Sequence, residues 1–174
     1  MKNSAINTLK YTGTVTLSQC IGSKKIKLAQ INNAGGQPLF NFFADCLLSD
    51  FEIAKMNCPS KIKLLAEKPG DSEGQTKYES KSGFINWTSK PEKVYTGSVI
   101  STVRYSFIVP RALLSGNTFS HIGLYADSAK HGDENNYAAI VFTDSLTDIS
   151  TSSALIIDWE LNISNGIYTD KETK

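Results

Sequence analysis

Asp158 and Glu160 stand two apart in Leu155-Ile156-Ile157-Asp158-Trp159-Glu160-Leu161, a spacing that puts both carboxylates on one face of a strand. Such a pair can do the acid/base work of a β-sandwich glycosidase. Ala154 and Asn162 share that face, so the pair reads equally as the wet side of a half-buried strand. The segment Asp127-Ser128-Ala129-Lys130-His131-Gly132-Asp133-Glu134-Asn135 has enough oxygen donors for calcium but lacks the alternating Asp/Asn ligand ladder. Neither of the two histidines, His121 and His131, follows a zinc spacing such as H-E-x-x-H. There is no G-x-S-x-G, and Gly35-Gly36 precedes a helical pattern without the lysine and Ser/Thr of a phosphate loop. The expectation is a chain with no catalytic residues, cofactor or metal, and no enzymatic activity.

The elements that would position these groups are mostly strands. Tyr11, Val15 and Leu17 alternate with Thr12, Thr14 and Thr16, and Lys24 to Ile31 returns after Gly22-Ser23, which predicts a hairpin. Pro38 sits where a helix accepts its first residue, and Leu39, Phe40, Phe43, Ala44 and Leu47 form an apolar stripe at helical period. That predicts one amphipathic helix near residues 38–48, with a further helical turn at Phe51 to Lys55. Ser60 to Ala66 predicts a strand. Val99, Val103, Tyr105, Phe107 and Val109 share a strand face against Thr102, Arg104 and Ser106. Phe119 to Ala126 predicts the next strand, and the apolar run Tyr137 to Thr143 one buried on both faces. Leu155, Ile157, Trp159, Leu161 and Ile163 alternate with polar partners in the strongest strand pattern of the chain, which Asn165-Gly166 should end. About seven to nine strands with one helix, and no strand–helix alternation, predict a mainly β antiparallel sandwich.

Between Glu67 and Lys93 the composition turns to Lys, Glu, Gly, Ser and Asp, with Phe84, Ile85 and Trp87 as an apolar island. This reads as an arm or long loop, 67–93, inserted in a single domain of residues 1–174, with a short tail at 165–174. A connection longer than about 12–15 residues is usually functional or disordered, and the apolar island suggests docking, so Phe84, Ile85 and Trp87 are expected at an interface, together with His121 and Tyr125. The alternative is that the island folds back as an edge strand.

The net charge of +1, from 18 basic and 17 acidic residues, carries none of the excess that phosphate binding requires. Lys24, Lys25 and Lys27 are expected on a solvated strand face or on a charged edge that discourages aggregation. No nucleic-acid partner is expected. No membrane is expected either, since no apolar stretch reaches the ~20 residues of a membrane helix. Cys20, Cys46 and Cys58 are an odd number without a zinc spacing, which suggests a reducing site of synthesis, with Cys46 reduced and buried on the helical face.

Two stretches, taken together, resemble small virion structural proteins of tailed bacteriophages. The first is Asn32-Asn33-Ala34-Gly35-Gly36-Gln37-Pro38-Leu39-Phe40 with Phe43-Ala44-Asp45-Cys46-Leu47 and Lys61-Ile62-Lys63-Leu64. The second runs from Tyr105-Ser106-Phe107-Ile108-Val109-Pro110 through Phe119-Ser120-His121-Ile122-Gly123-Leu124-Tyr125 and Ala139 to Phe142, to Leu155-Ile156-Ile157-Asp158-Trp159-Glu160-Leu161. This part is similar to the tail-collar fibre and fibre-attachment proteins, although His121 stands where those carry an acidic residue. The resemblance implies a component of a collar, tail-fibre attachment, baseplate or head decoration, acting through protein–protein contacts. It implies other virion proteins as partners, a homo-oligomer, and assembly in the host cytoplasm into the virion. A carbohydrate-binding sandwich, with Trp87 stacking on sugar, is the first alternative and a sandwich glycoside hydrolase the second.

Overall fold

The computed structural model describes residues 6–48, 51–70, 72, 76–89, 91–96, 100–115, 119–142 and 153–168, with the backbone alone at 6–10, 95–96, 100–101 and 163–168. In chain order the elements are β1 (Ile6–Ile21), β2 (Lys24–Asn32), β3 (Ala34–Gly35), α1 (Gln37–Leu47), α2 (Phe51–Asn57), β4 (Pro59–Pro69), β5 (Thr76–Ser80), β6 (Ile85–Asn86), β7 (Glu92–Thr96), β8 (Ile100–Val109), α3 (Arg111–Leu114), β9 (His121–Ala126), β10 (Ala139–Phe142) and β11 (Leu155–Tyr168). One sheet, A, runs β2-β1-β11-β8-β7, and the other, B, runs β3-β10-β9-β4-β5 with β6 also on β4. All pairings are antiparallel. The protein is a mainly β sandwich, as its alternating patterns predict.

Alternation decides which faces meet. On sheet A, Val15 and Leu17 of β1, Tyr105, Phe107 and Val109 of β8, and Leu155, Ile157, Trp159 and Leu161 of β11 turn inward and are buried. Sheet B answers with Ile62 and Leu64 of β4, Ile122 and Leu124 of β9, and Ala139 and Val141 of β10. Trp159 lies at the centre, paired with Val15 on one side and Tyr105 on the other. Its indole N–H meets no acceptor among the described residues, so the ring contributes through packing. Gly22, at φ +61°, makes the tight β1–β2 turn in a conformation that side-chain-bearing residues resist.

A third layer covers the outer face of sheet B. Leu65, Tyr125 and Ile140 point away from the main core into a second cluster, closed by Tyr78, Phe84, Ala129 and Tyr137. This explains why every residue of β9 is buried. Tyr125 lies back over Gly123, where a Cβ would meet its ring at 2.7 Å.

Several boundaries depart from the sequence reading. β11 continues through Asn165-Gly166 to Tyr168, because β1 reaches back to Ile6 and supplies a partner for each added residue, so a tail does not begin at 165. Segment 67–93 is not an arm. β4 runs on to Pro69, β5 pairs back along it, β6 pairs with its other half, and β7 borders β8. Polar edge strands carry too little apolar alternation to be distinguished from loop. Val99, residues 144–152 and the tail beyond Tyr168 lie outside the described residues, as does the side chain of Ile163.

Replacing Trp159 with alanine empties the centre of the main core and is expected to cost ~3–5 kcal/mol. A urea titration followed by circular dichroism should show a lowered midpoint, and an unchanged midpoint contradicts this packing.

Candidate functional site

Asp158 and Glu160 project from the outer face of sheet A, where each is already paired. Asp158 Oδ2 accepts from Lys25 Nζ at 2.7 Å and its Oδ1 from Ser106 Oγ at 2.7 Å. Glu160 Oε1 accepts from Arg104 Nε and Nη2 at 2.8 and 2.7 Å. The cross-strand register produces these pairs: Asp158 lies opposite Ser106, and Glu160 opposite Arg104. They form a charge ladder of the kind that holds strands in register.

Each carboxylate of the 127–136 segment also accepts a hydrogen bond within the chain. Asp127 Oδ1 accepts from Ser60 Oγ at 2.9 Å, and Asp133 Oδ2 from the Lys130 N–H at 2.6 Å. Glu134 Oε1 accepts from Lys63 Nζ and Ser80 Oγ, both at 2.6 Å. Among the described residues no cluster of three metal-ligating side chains forms. The segment is a clamp. Lys63, in mid-strand with no exposed surface, is held between Glu134 and the Phe84 ring, whose centroid lies 4.3 Å from Nζ. Burial alone would raise the Glu134 carboxyl. Hydrogen bonds from Lys63, Ser80 and the Gly132 N–H outweigh it and hold the group down at about 2.

His121 and Tyr125 belong to the layer under this clamp and offer no surface to a partner, which corrects the expectation for both. His121 lies between the Tyr78 and Phe142 rings at centroid distances of 4.8 and 4.9 Å. Tyr125 is fully buried, and its hydroxyl donates to the Glu134 carbonyl at 2.8 Å. A period-two pattern cannot reveal that both faces of a strand are covered when the cover is a distant polar loop.

Phe84 belongs to the layer over sheet B, while Ile85 and Trp87 close one open side of the sandwich. Phe84 packs edge-on to Tyr125, Ile85 sits against the main core, and Trp87 stacks on Tyr105 with centroids 6.2 Å apart. The backbone fixes the plug at both sheets: Trp87 N–H donates to Ser60 O in sheet B, and Thr88 N–H to Ser106 O in sheet A. The island therefore folds back on its own sandwich, the alternative outcome for this segment.

Burial raises the Cys58 thiol, and partial desolvation together with Asp45 raises Cys46, which makes these two poorer nucleophiles. Cys46 is exposed, not buried as expected. A cleft of about 350 Å³ opens beside β1, lined by Tyr11, Thr12, Gly13, Asn32, Asn33 and Gly35. Asn33 Nδ2 donates to Tyr11 Oη there at 2.6 Å.

The feature that stands out is on the helices. Leu39 anchors α1 in the main core and Phe42 and Phe43 pack against it, while Ala54 buries α2. Asn57 Nδ2 donates to Asp45 Oδ2 at 2.8 Å and ties the helices side by side. Away from the core, Phe40, Leu47, Leu48, Phe51, Ile53 and Met56 stand in solvent, with Leu47 and Leu48 about four-fifths exposed. The apolar stripe of the helix is thus split, with Leu39 and Phe43 inward and Phe40 and Leu47 outward. A signal was present: apolar residues at 39, 40, 42, 43, 47, 48, 51, 53 and 56 surround the helices more completely than one buried face can use.

No protein-family model matches this chain. No curated protein is similar to it. No solved structure is similar to it either.

Two outcomes follow from these contacts. Glu134→Gln leaves Lys63 buried beside a neutral partner and is expected to destabilise by ~3 kcal/mol. Glu134 protonates at about 2 in the folded chain, below its ordinary carboxyl value, so its contribution is complete above that ordinary value and is lost as pH falls through 2. Thermal melts at stepped pH should show this loss in the wild type and not in Glu134→Gln; identical acid profiles contradict the clamp. Trp87→Ala uncovers Tyr105 and should lower stability by about 2 kcal/mol. An unaltered melting temperature would restore the reading of Trp87 as a free contact residue.

Proposed function

We propose that this chain is a structural protein of a tailed-bacteriophage virion, a collar, tail-fibre attachment, baseplate or head-decoration component. It works through protein–protein contacts and docks by the α1–α2 face. The observation that carries the reading is the set of six large apolar side chains left in solvent on two adjacent helices. Large apolar side chains left exposed in such number within residues 40–56 mark a contact site. Phe40 and Phe51 are the aromatic anchors on which interface energy concentrates.

The chemistry of the patch favours a protein over a lipid surface. Helices that lie on membranes carry Lys and Arg along their polar face, whereas α1 has no basic residue and α2 has Lys55 alone. The choice of a virion partner rests on the resemblance of the Tyr105–Tyr125 and Leu155–Leu161 segments to tail-collar fibre proteins. The sandwich suits that role, with Asp158, Glu160 and Glu134 committed to ladders and the clamp.

Mass spectrometry of purified particles tests the reading. The chain should be present at structural stoichiometry, and a Leu47→Glu/Phe51→Glu variant should fold normally yet be lost from particles. Particles that lack the wild-type chain, or that take up the variant as readily, contradict it.

A further inference from the structure

We infer that the open edge of β1 accepts an extended segment of a partner protein as an added strand, one side chain of which enters the cleft beside Tyr11. β1 pairs with β11 from Ile6 to Gln19, but β2 covers only residues 14–21 of its other edge. At Asn33 the chain leaves β1 and crosses to sheet B, where Ala34 and Gly35 pair with β10. The last link to β1 is the Asn33 N–H, which donates to Gly13 O at 3.0 Å. Backbone groups alternate sides along an antiparallel strand. The N–H and C=O of Tyr11, Leu9 and Asn7 therefore point the same way as that carbonyl, and no described strand meets them. A row of unpaired strand groups is a template for a further strand. The outer strands of sheet A are charged, with Lys24, Lys25 and Lys27 on β2 and Glu92 and Lys93 on β7, whereas residues 6–12 hold Lys10 alone.

The cleft adds what strand addition needs for specificity, a pocket for an alternate side chain. It lies at the fork where β2 parts from β1, and Tyr11, Thr12, Gly13, Asn32, Asn33 and Gly35 line it. Its volume of about 350 Å³ is near the lower limit of ligand pockets, roughly 300 Å³, which leaves room for one large side chain. The fork is held in place by Asn33. Its Nδ2 donates to Tyr11 Oη at 2.6 Å, and its amide lies over Gly13, where a Cβ would meet Oδ1 at 1.7 Å. The lining carries hydroxyl and amide groups and no charge. The side chain it takes is thus uncharged and hydrogen-bonding, of the tyrosine or glutamine type. A second copy answers this poorly: paired two-fold in full register, it would bring Ile6 opposite Thr12 at the fork, an aliphatic residue. The inference rests on nothing argued for the helical face.

Amide exchange of the purified full chain, read by NMR, tests the edge. Without a ligand, the Asn7, Leu9 and Tyr11 amides should exchange fast, and those of Thr8, Lys10 and Thr12, turned to β11, slowly. Both sets slow means that the edge is already covered, by a second copy or by the chain itself; both fast means that β1 holds no edge there. Either overturns the inference. The probes are labelled short peptides of alternating threonine and valine, with tyrosine at each position in turn, titrated by fluorescence anisotropy. The tightest should slow the Asn7, Leu9 and Tyr11 amides at least about ten-fold, as one hydrogen bond gained implies. Glutamate in place of its tyrosine should weaken binding by about ten-fold, because nothing in the cleft pairs a charge. N-methylation of alternate peptide nitrogens should abolish binding in one phase and spare it in the other, since an added strand turns every second N–H to its neighbour. No binding by any peptide, equal affinity for tyrosine and glutamate, loss in both phases or neither, or protection on another strand overturns it.

Discussion

The antiparallel pairing of β1 with β11, from Ile6↔Tyr168 to Gln19↔Leu155, is the interaction on which the rest of the fold depends. It places the first strand beside the last and gives sheet A its centre. β2 pairs with β1 and β8 with β11, so this central pair joins the two halves of the sheet. The inward row of β11 then builds the floor on which sheet B packs. Such a pairing closes a loop spanning most of the chain before its contacts can compensate the lost entropy. Topologies of this kind fold slowly compared with local ones.

Sheet B solves a different problem. Its outer face carries Lys63, Leu65, His121, Tyr125 and Ile140, a mixture that would be costly exposed and costly buried without partners. The 127–136 segment resolves this by bringing Glu134 to Lys63 and a carbonyl to the Tyr125 hydroxyl. The residues that look like ligands or acids in the sequence are thereby consumed in holding the layer down. The same holds on sheet A, where Asp158 and Glu160 answer Lys25 and Arg104. Among the described residues, six of the eleven exposed large apolar side chains then fall within residues 40–56.

The sandwich was legible because alternation survives wherever one face is wet and the other dry. Leu155, Ile157, Trp159 and Leu161 mark their face without ambiguity, as do Tyr105, Phe107 and Val109. Legibility failed where cover came from far along the chain. Tyr125 and His121 read as surface groups because the polar segment above them resembles solvent-facing loop. β5, β6 and β7 were hidden for a related reason: short edge strands owe their form to a neighbour's hydrogen bonds and show little pattern of their own. On α1 the helical period is legible, but the stripe divides, with Leu39 and Phe43 inward and Phe40 and Leu47 outward. Periodicity locates an apolar face and does not say whether the chain itself covers it.

That last distinction is the centre of the account, and hydroxyl-radical footprinting addresses it directly by reporting side-chain access to solvent. The dilute isolated chain and the chain in purified particles would be labelled in parallel. Leu47, Leu48, Phe51 and Met56 should react readily in the first and be protected in the second, while Trp159 stays protected in both. Equal labelling of those four side chains in the two states, with protection appearing on another surface, would contradict the account.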